Sequence, residues 1–239
     1  KFSLCLHLDT FYIFFVKNIL NFSYKKEIRR EKYFCQICKN ENFNKFYGFL
    51  KKEGEINGFV YEYMSNGSLQ EYVELGKIDP NFALTAINRL YYALLFLRSC
   101  NLIHRDLKPF NILIDHNRLP YIVDFETIRQ PIDANSSPED VMTNDIGSSL
   151  YTSPEQDSED NVSFPTDIYS FGLIVYFLIE RKNFFSDTQK KFLGDMIIEK
   201  MNCSNDILNM CMKCLKLDQN ERIKIEEIGL IIVKEILKQ

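Results

Sequence analysis

The sequence predicts an α+β chain of two unequal lobes, a small strand-rich one over residues 1–63 and a larger, mostly helical one over 64–239. Three observations point there. Short apolar runs separated by polar turns fill the N-terminal quarter, and apolar residues at helical spacing dominate from Phe82 onward. Of the 239 residues, 46% are apolar, enough to bury one large core or two unequal ones.

In chain order, Leu4 to Leu8 and Phe11 to Val16 read as strands joined by the polar turn Asp9-Thr10. Tyr24 to Lys39 carries Ile28, Glu31, Cys35 and Cys38 at helical spacing, and strand character returns over Lys45 to Leu50 and Gly58 to Tyr63. Asn66-Gly67 marks a turn and sets the lobe boundary near Tyr63 to Gly67. Ile87, Leu90, Tyr91, Leu94 and Leu97 line one face of a helix that ends just before His104. Tyr121-Ile122-Val123 reads as a short strand leading into Asp124, and Asp167 to Gly172 opens a strongly apolar helix.

Charge and cysteine usage narrow the function classes. A net charge of −4 gives no sign of nucleic-acid binding. Up to Val60 there are 11 basic against 6 acidic residues, and 18 against 27 in the remainder. Solvated faces account for this; an acidic second lobe would also favour basic peptides. The cysteines, at 5, 35, 38, 100, 203, 211 and 214, are odd in number and scattered through apolar segments, as expected of reduced thiols in the cytoplasm. The pairs Cys35/Cys38 and Cys211/Cys214 lie in helix-like patterns with no His beside them, so helix packing explains them better than zinc. The apolar run Phe11 to Val16 stops at Lys17 and follows Asp9, too short to span a membrane, and His7 and Asp9 interrupt any signal peptide. An initial Lys rather than Met is what a fragment or excised domain would show.

The chemistry concentrates in His104-Arg105-Asp106-Leu107-Lys108-Pro109-Phe110-Asn111, which sets a carboxylate, an ammonium and an amide at the spacing phosphoryl transfer requires. Asp106 would orient the attacking hydroxyl and take its proton, Lys108 would touch the γ-phosphate, and Asn111 would hold a metal ion. A polar turn broken by Pro109 is the plain alternative. Asp124-Phe125-Glu126, thirteen residues after Asn111, offers a second metal ligand. Gly147 to Glu155, Asp167 to Gly172 and Arg222 follow in order.

With these motifs in this order, the sequence resembles the eukaryotic protein-kinase family from about Leu4 to Leu237. Tyr61 to Leu69 and Lys45 to Phe49 look like its tyrosine-kinase-like branch, whose members mostly act on Ser and Thr, and Lys108 agrees. The resemblance implies the two-lobed kinase fold, ATP and Mg²⁺ as cofactors, and a Ser/Thr protein substrate. It implies that Lys17 holds the α/β-phosphates with Glu31 as its helix partner. Tyr61 would be the gatekeeper, Glu62 and Met64 would offer backbone groups to adenine, and Leu113 and Asp124 would complete the nucleotide site. Cys35, Phe46, His104 and Phe125 match a stacked spine, and Ser148 matches a hydroxyl beside Asp106. Asp167 would brace the catalytic loop, and Glu155 and Arg222 would form a buried ion pair. Arg105 before Asp106 implies control by phosphorylation, with Thr143, Ser136 and Ser137 as candidates and Asp133, Glu139, Asp140 or Asp145 as acidic substitutes.

The chain departs from the family pattern in three places. No glycine precedes Gly48, so the glycine-rich loop over the phosphates is absent here, lost with an upstream segment or never part of the site. Phe15 replaces a small residue two positions before Lys17, where it would crowd the adenine. Glu126 replaces a glycine after Phe125 and either restricts that backbone or adds a carboxylate beside the metals. A Mg²⁺-ATP-dependent Ser/Thr kinase is therefore the first expectation and a pseudokinase scaffold with weak or no ATP binding the second. A small-molecule phosphotransferase, which would not need Ser153-Pro154-Glu155, ranks third.

Overall fold

A computed structural model describes residues 2–19, 25–131, 150–157, 162–182 and 203–238. Ser148, Thr143, Ser136 and Ser137, and the acidic residues Asp133, Glu139, Asp140 and Asp145, lie outside the described residues.

Strands β1 (Phe2–His7), β2 (Tyr12–Asn18), β3 (Phe46–Lys52) and β4 (Glu55–Glu62) form one antiparallel sheet in the order β1-β2-β4-β3, with helix α1 (Lys25–Ile37) inserted between β2 and β3. β2 pairs on both sides, Phe15 lying opposite Leu4 and Tyr61. Strand alternation buries Val16 and puts Phe15 and Lys17 together on the other face, where both line a cleft. β1 pairs with β2 alone, and its apolar residues Phe2 (61%), Leu4 (60%) and Leu6 (52%) are exposed. An edge strand takes its burial from what covers it, which its own pattern does not encode.

The second lobe holds helices α2 (Leu69–Glu74), α3 (Pro80–Ser99), α4 (Pro154–Asp157), α5 (Phe164–Glu180), α6 (Asn205–Cys214) and α7 (Ile225–Ile236), with a small hairpin of β5 (Ile112–Ile114) and β6 (Pro120–Ile122). Asn66-Gly67 makes the turn into it: Gly67 sits at φ +72°, and an added Cβ would meet the Glu71 carboxylate at 2.7 Å. Ser68 and Glu71 then cap α2 reciprocally. Asp79 accepts from the Phe82 N–H at 2.8 Å, and Pro80 supplies the first turn of α3. Tyr91, expected on the buried face of α3, is half-buried and faces Gly229 of α7, because glycine leaves room there for a phenol ring.

The loop after α1 helps to join the lobes. Backbone bonds tie the loop after α1 to β6, Asn44 N–H to Ile122 O at 2.9 Å and Ile122 N–H to Asn42 O at 3.0 Å. Arg89 of α3 donates to the carbonyls of Pro120, at 2.9 Å, and Glu41, and lies 4.6 Å from the Tyr121 ring centroid.

α5 is the axis of the larger lobe, buried from Thr166 through Leu178, as an all-round apolar helix requires. Gly172 lets α6 approach it: a Cβ there would fall 2.6 Å from the Cβ of Cys214, and the Cys211 thiol donates to Gly172 O at 3.3 Å. The Cys211/Cys214 pair is thus buried in a helix interface. Gly172→Ala should destabilise the chain by about 1–3 kcal/mol in urea unfolding, overpacking outweighing the roughly 1 kcal/mol that Ala offers a helix. An unchanged or raised midpoint would refute this close approach.

Candidate functional site

Between the lobes lies a cleft of about 270 Å³, whose walls include Lys17, Glu31, Tyr61, Asn111, Leu113 and Asp124. Its apolar walls come from Phe2 and Phe15, stacked with ring centroids 5.0 Å apart, and from Val123 and Leu113.

The loop after α3 is built around one carboxylate. Asp106 accepts from Lys108 Nζ at 2.8 and 2.7 Å through its two oxygens, and Asn111 Nδ2 donates to both Asp106 Oδ2 and Asp106 O at 2.8 Å. Pro109 starts a 3-10 turn, Pro109–Asn111, that brings Asn111 back to the aspartate. Asp167, fully buried in the first turn of α5, accepts from the N–H groups of His104 at 2.7 Å and Arg105 at 2.9 Å. Burial pushes the Asp167 pKa up against these bonds, and burial also lowers that of His104. Arg105 stands in the left-handed region at φ +73°, its carbonyl accepting from Gln156 Nε2 at 2.8 Å.

Lys17 is the hub of the opposite wall. Its ammonium lies 3.1 Å from Glu31 Oε2, 2.7 Å from Asp124 Oδ1 and 2.9 Å from Glu126 Oε1. Burial opposes its charge, but Asp124, Glu31 and Glu126 together hold its pKa above the usual lysine value. Burial likewise opposes ionisation of Asp124, and Lys17 more than offsets it, keeping that carboxyl below its ordinary value. Tyr61 Oη donates to Glu31 Oε1 at 2.6 Å and lies 3.2 Å from Cys35 Sγ, holding the carboxylate from the sheet side. Asp124 has φ +66°, a left-handed turn that directs the chain from β6 toward Lys17.

Lys17, Glu31, Asn111, Leu113 and Asp124 share the cleft wall; Glu62 and Met64 are not among its lining residues. The Glu62 N–H donates to Lys45 O at 2.9 Å, and its carbonyl accepts from Asn44 Nδ2 at 3.3 Å. Glu126, for which a restricted backbone and a carboxylate beside the metals were the two expectations, is ion-paired with Lys17. Phe125 is buried against Phe34, Phe43 and Tyr61, with centroids 4.8, 6.0 and 6.0 Å away. Two participants were missed: the Glu126 contact with Lys17, and Asn44. An amide between Phe43 and Phe46 in a strand-like run was the available signal for the latter.

Away from the cleft, Arg222 grips Glu155 with both guanidinium ends, at 2.5 Å to Oε1 and 2.7 Å to Oε2, and Thr166 Oγ1 donates to Oε1 at 2.8 Å. Burial opposes the charge of Glu155, but the Arg222 bonds outweigh it and lower its pKa.

The protein kinase domain family model matches residues 1–230. An Aurora kinase of Saccharomyces cerevisiae is 27% identical over 234 residues, 93% of this chain and 62% of that protein. A probable serine/threonine-protein kinase of Clostridium acetobutylicum is 33% identical over 125 residues, 52% of this chain and 19% of its own length. Serine/threonine-protein kinase D of Synechocystis is 32% identical over 156 residues, 63% of this chain and 30% of that one. The chain thus spans less than two thirds of each of these relatives.

Removing one partner of the Glu155–Arg222 pair should cost about 3–5 kcal/mol at neutral pH, because the other charge stays buried. The folded-state pKa of Glu155 lies below the ordinary glutamate value of about 4.3, so this stability is complete above that value and lost as the pH falls through the folded-state one. Urea unfolding of Glu155→Gln should show that deficit at pH 7 and a narrowing gap to the unaltered chain below about pH 4. A gap independent of pH would contradict the assignment.

Proposed function

This chain belongs to the protein kinase family, and we propose that it transfers the γ-phosphoryl group of Mg²⁺-ATP to a Ser or Thr hydroxyl of a protein. The observation that carries this reading is Asp106, whose carboxylate Lys108 and Asn111 orient at 2.7–2.8 Å, Asn111 itself lining the cleft that also holds the Lys17–Glu31 pair. Asp106 aligns the acceptor hydroxyl and takes its proton, and Lys108 meets the charge growing on the transferred group. Lys17 holds the nucleotide phosphates, with Glu31 and Tyr61 fixing its position. Asn111 and Asp124 would hold Mg²⁺: Asn111 spends Nδ2 on Asp106 and keeps Oδ1, and hard oxygen donors suit that ion. When bound, the metal neutralises phosphate charge.

Ser/Thr acceptors are supported by the printed names of the Clostridium and Synechocystis relatives. The wording of Tyr61 to Leu69 supports the tyrosine-kinase-like branch. A lobe boundary at residues 63/64 and work in the cytoplasm are part of the same reading. No described helix is long and apolar enough to cross a membrane.

A second reading, a pseudokinase scaffold, is favoured by Glu126, which puts a third carboxylate on the cation the phosphates need. The two separate by assay. With Mg²⁺-ATP and a Ser/Thr peptide, the kinase reading expects Asp106→Asn to fold normally and to lose about 10²- to 10⁴-fold in turnover. Equal turnover in both proteins would refute the role of Asp106, whereas no phosphorylation and no Mg²⁺-ATP binding by the unaltered chain would favour the scaffold.

A further inference from the structure

Asn44 is an amide in an apolar wall, with one end satisfied and the other not. The residue is 6% exposed, and it lines both the cleft and a second cavity of about 400 Å³. Its Nδ2 donates to Glu62 O at 3.3 Å, which fixes the orientation of the group, since a carbonyl oxygen in that place would face another acceptor. Oδ1 is then left buried without a donor among the described residues. Buried acceptors are almost always paired in folded proteins, so one lacking a partner on a cleft wall points to a ligand donor.

The neighbouring protic groups are committed elsewhere. Tyr61 Oη donates to Glu31 Oε1 at 2.6 Å, and the Cys35 thiol lies against the same phenol oxygen at 3.2 Å. An occupant of the cleft can supply the donor that Asn44 lacks among the described residues. That occupant's body fits between apolar groups, the stacked Phe2 and Phe15 rings and Leu113, which suit a flat aromatic ring. The Glu62 carbonyl, one candidate to accept from such a ring, is already engaged by Asn44.

We propose that Asn44 is a base-reading residue, its Oδ1 accepting a hydrogen bond from the exocyclic amine of a 6-aminopurine. This rests on the nucleotide reading given above. The site then prefers a purine with an amino group at position 6 over one with an oxygen there, because the oxo group would present an acceptor to an acceptor.

Calorimetric titration of the chain with Mg²⁺-ADP and Mg²⁺-IDP tests it without requiring turnover. The unaltered protein should bind ADP about tenfold or more tightly than IDP, the scale of one buried hydrogen bond. Asn44→Leu, close in size and unable to accept, should lose about tenfold in ADP affinity and keep IDP affinity within about twofold, so the preference collapses. Where Asn44→Leu fails to fold, as judged by its thermal melt, Asn44→Ser is read by the same ratio. An unchanged ADP/IDP ratio in the variant, including one sustained by the freed Glu62 carbonyl, overturns this inference alone. Failure of the unaltered chain to bind either nucleotide overturns the nucleotide reading and this inference with it.

Discussion

The charge on Lys17 ties together three parts of the chain that are remote in sequence. Glu31 comes from α1, and Asp124 and Glu126 come from the stretch after β6; all three reach one ammonium within 3.1 Å. Desolvating these groups is costly, and the arrangement holds only because each carboxylate has the same cation in reach. Tyr61 adds a neutral donor to the most buried of them. The orientation of α1 against the sheet, the left-handed turn at Asp124 and the shape of the cleft follow from meeting at this point.

The loop after α3 depends on a second anchor of a different kind. Asp167 offers its two oxygens to successive backbone N–H groups, so it fixes a peptide geometry rather than a side chain. The strained φ at Arg105, on the order of 1–3 kcal/mol for a non-glycine residue, is offset there by charge-assisted bonds inside the core. The Asp106 side chain inherits its direction from that loop and is then trimmed by Lys108 and Asn111.

Much of this was legible in the sequence, and the rest was not for identifiable reasons. The loop His104 to Asn111 could be read because its chemistry depends on short spacing along the chain, which a sequence states directly. The Lys17–Glu31 pairing was legible only through family resemblance, since 14 residues separate the two and neither spacing nor composition implies contact. Exposure of β1 was illegible: Leu4 and Leu6 have the alternation of a half-buried strand, and whether anything covers them is a property of the tertiary arrangement. Glu126 and Asn44 look like ordinary polar substitutions until the fold sets one against a shared cation and the other against a carbonyl at the end of β4. Partner choice for such groups is decided by three-dimensional neighbours that local patterns do not carry.

The pinning of the loop after α1 has a mechanical consequence. Asn42 and Asn44 are bonded to β6, and Arg89 of α3 holds the carbonyl of Glu41, so the C-terminal end of α1 is fastened to the larger lobe. Any displacement of α1 relative to that lobe is then a tilt about a fulcrum at this loop, not a translation. Glu31 stands roughly 9 Å up the helix from Ile37, by the 1.5 Å rise per residue, and a tilt of about 10° carries it ~1.5 Å. That is about half the 3.1 Å length of its contact with Lys17. The ion pair therefore senses the angle of α1, and an influence acting at the N-terminal end of the helix has the greatest leverage on it.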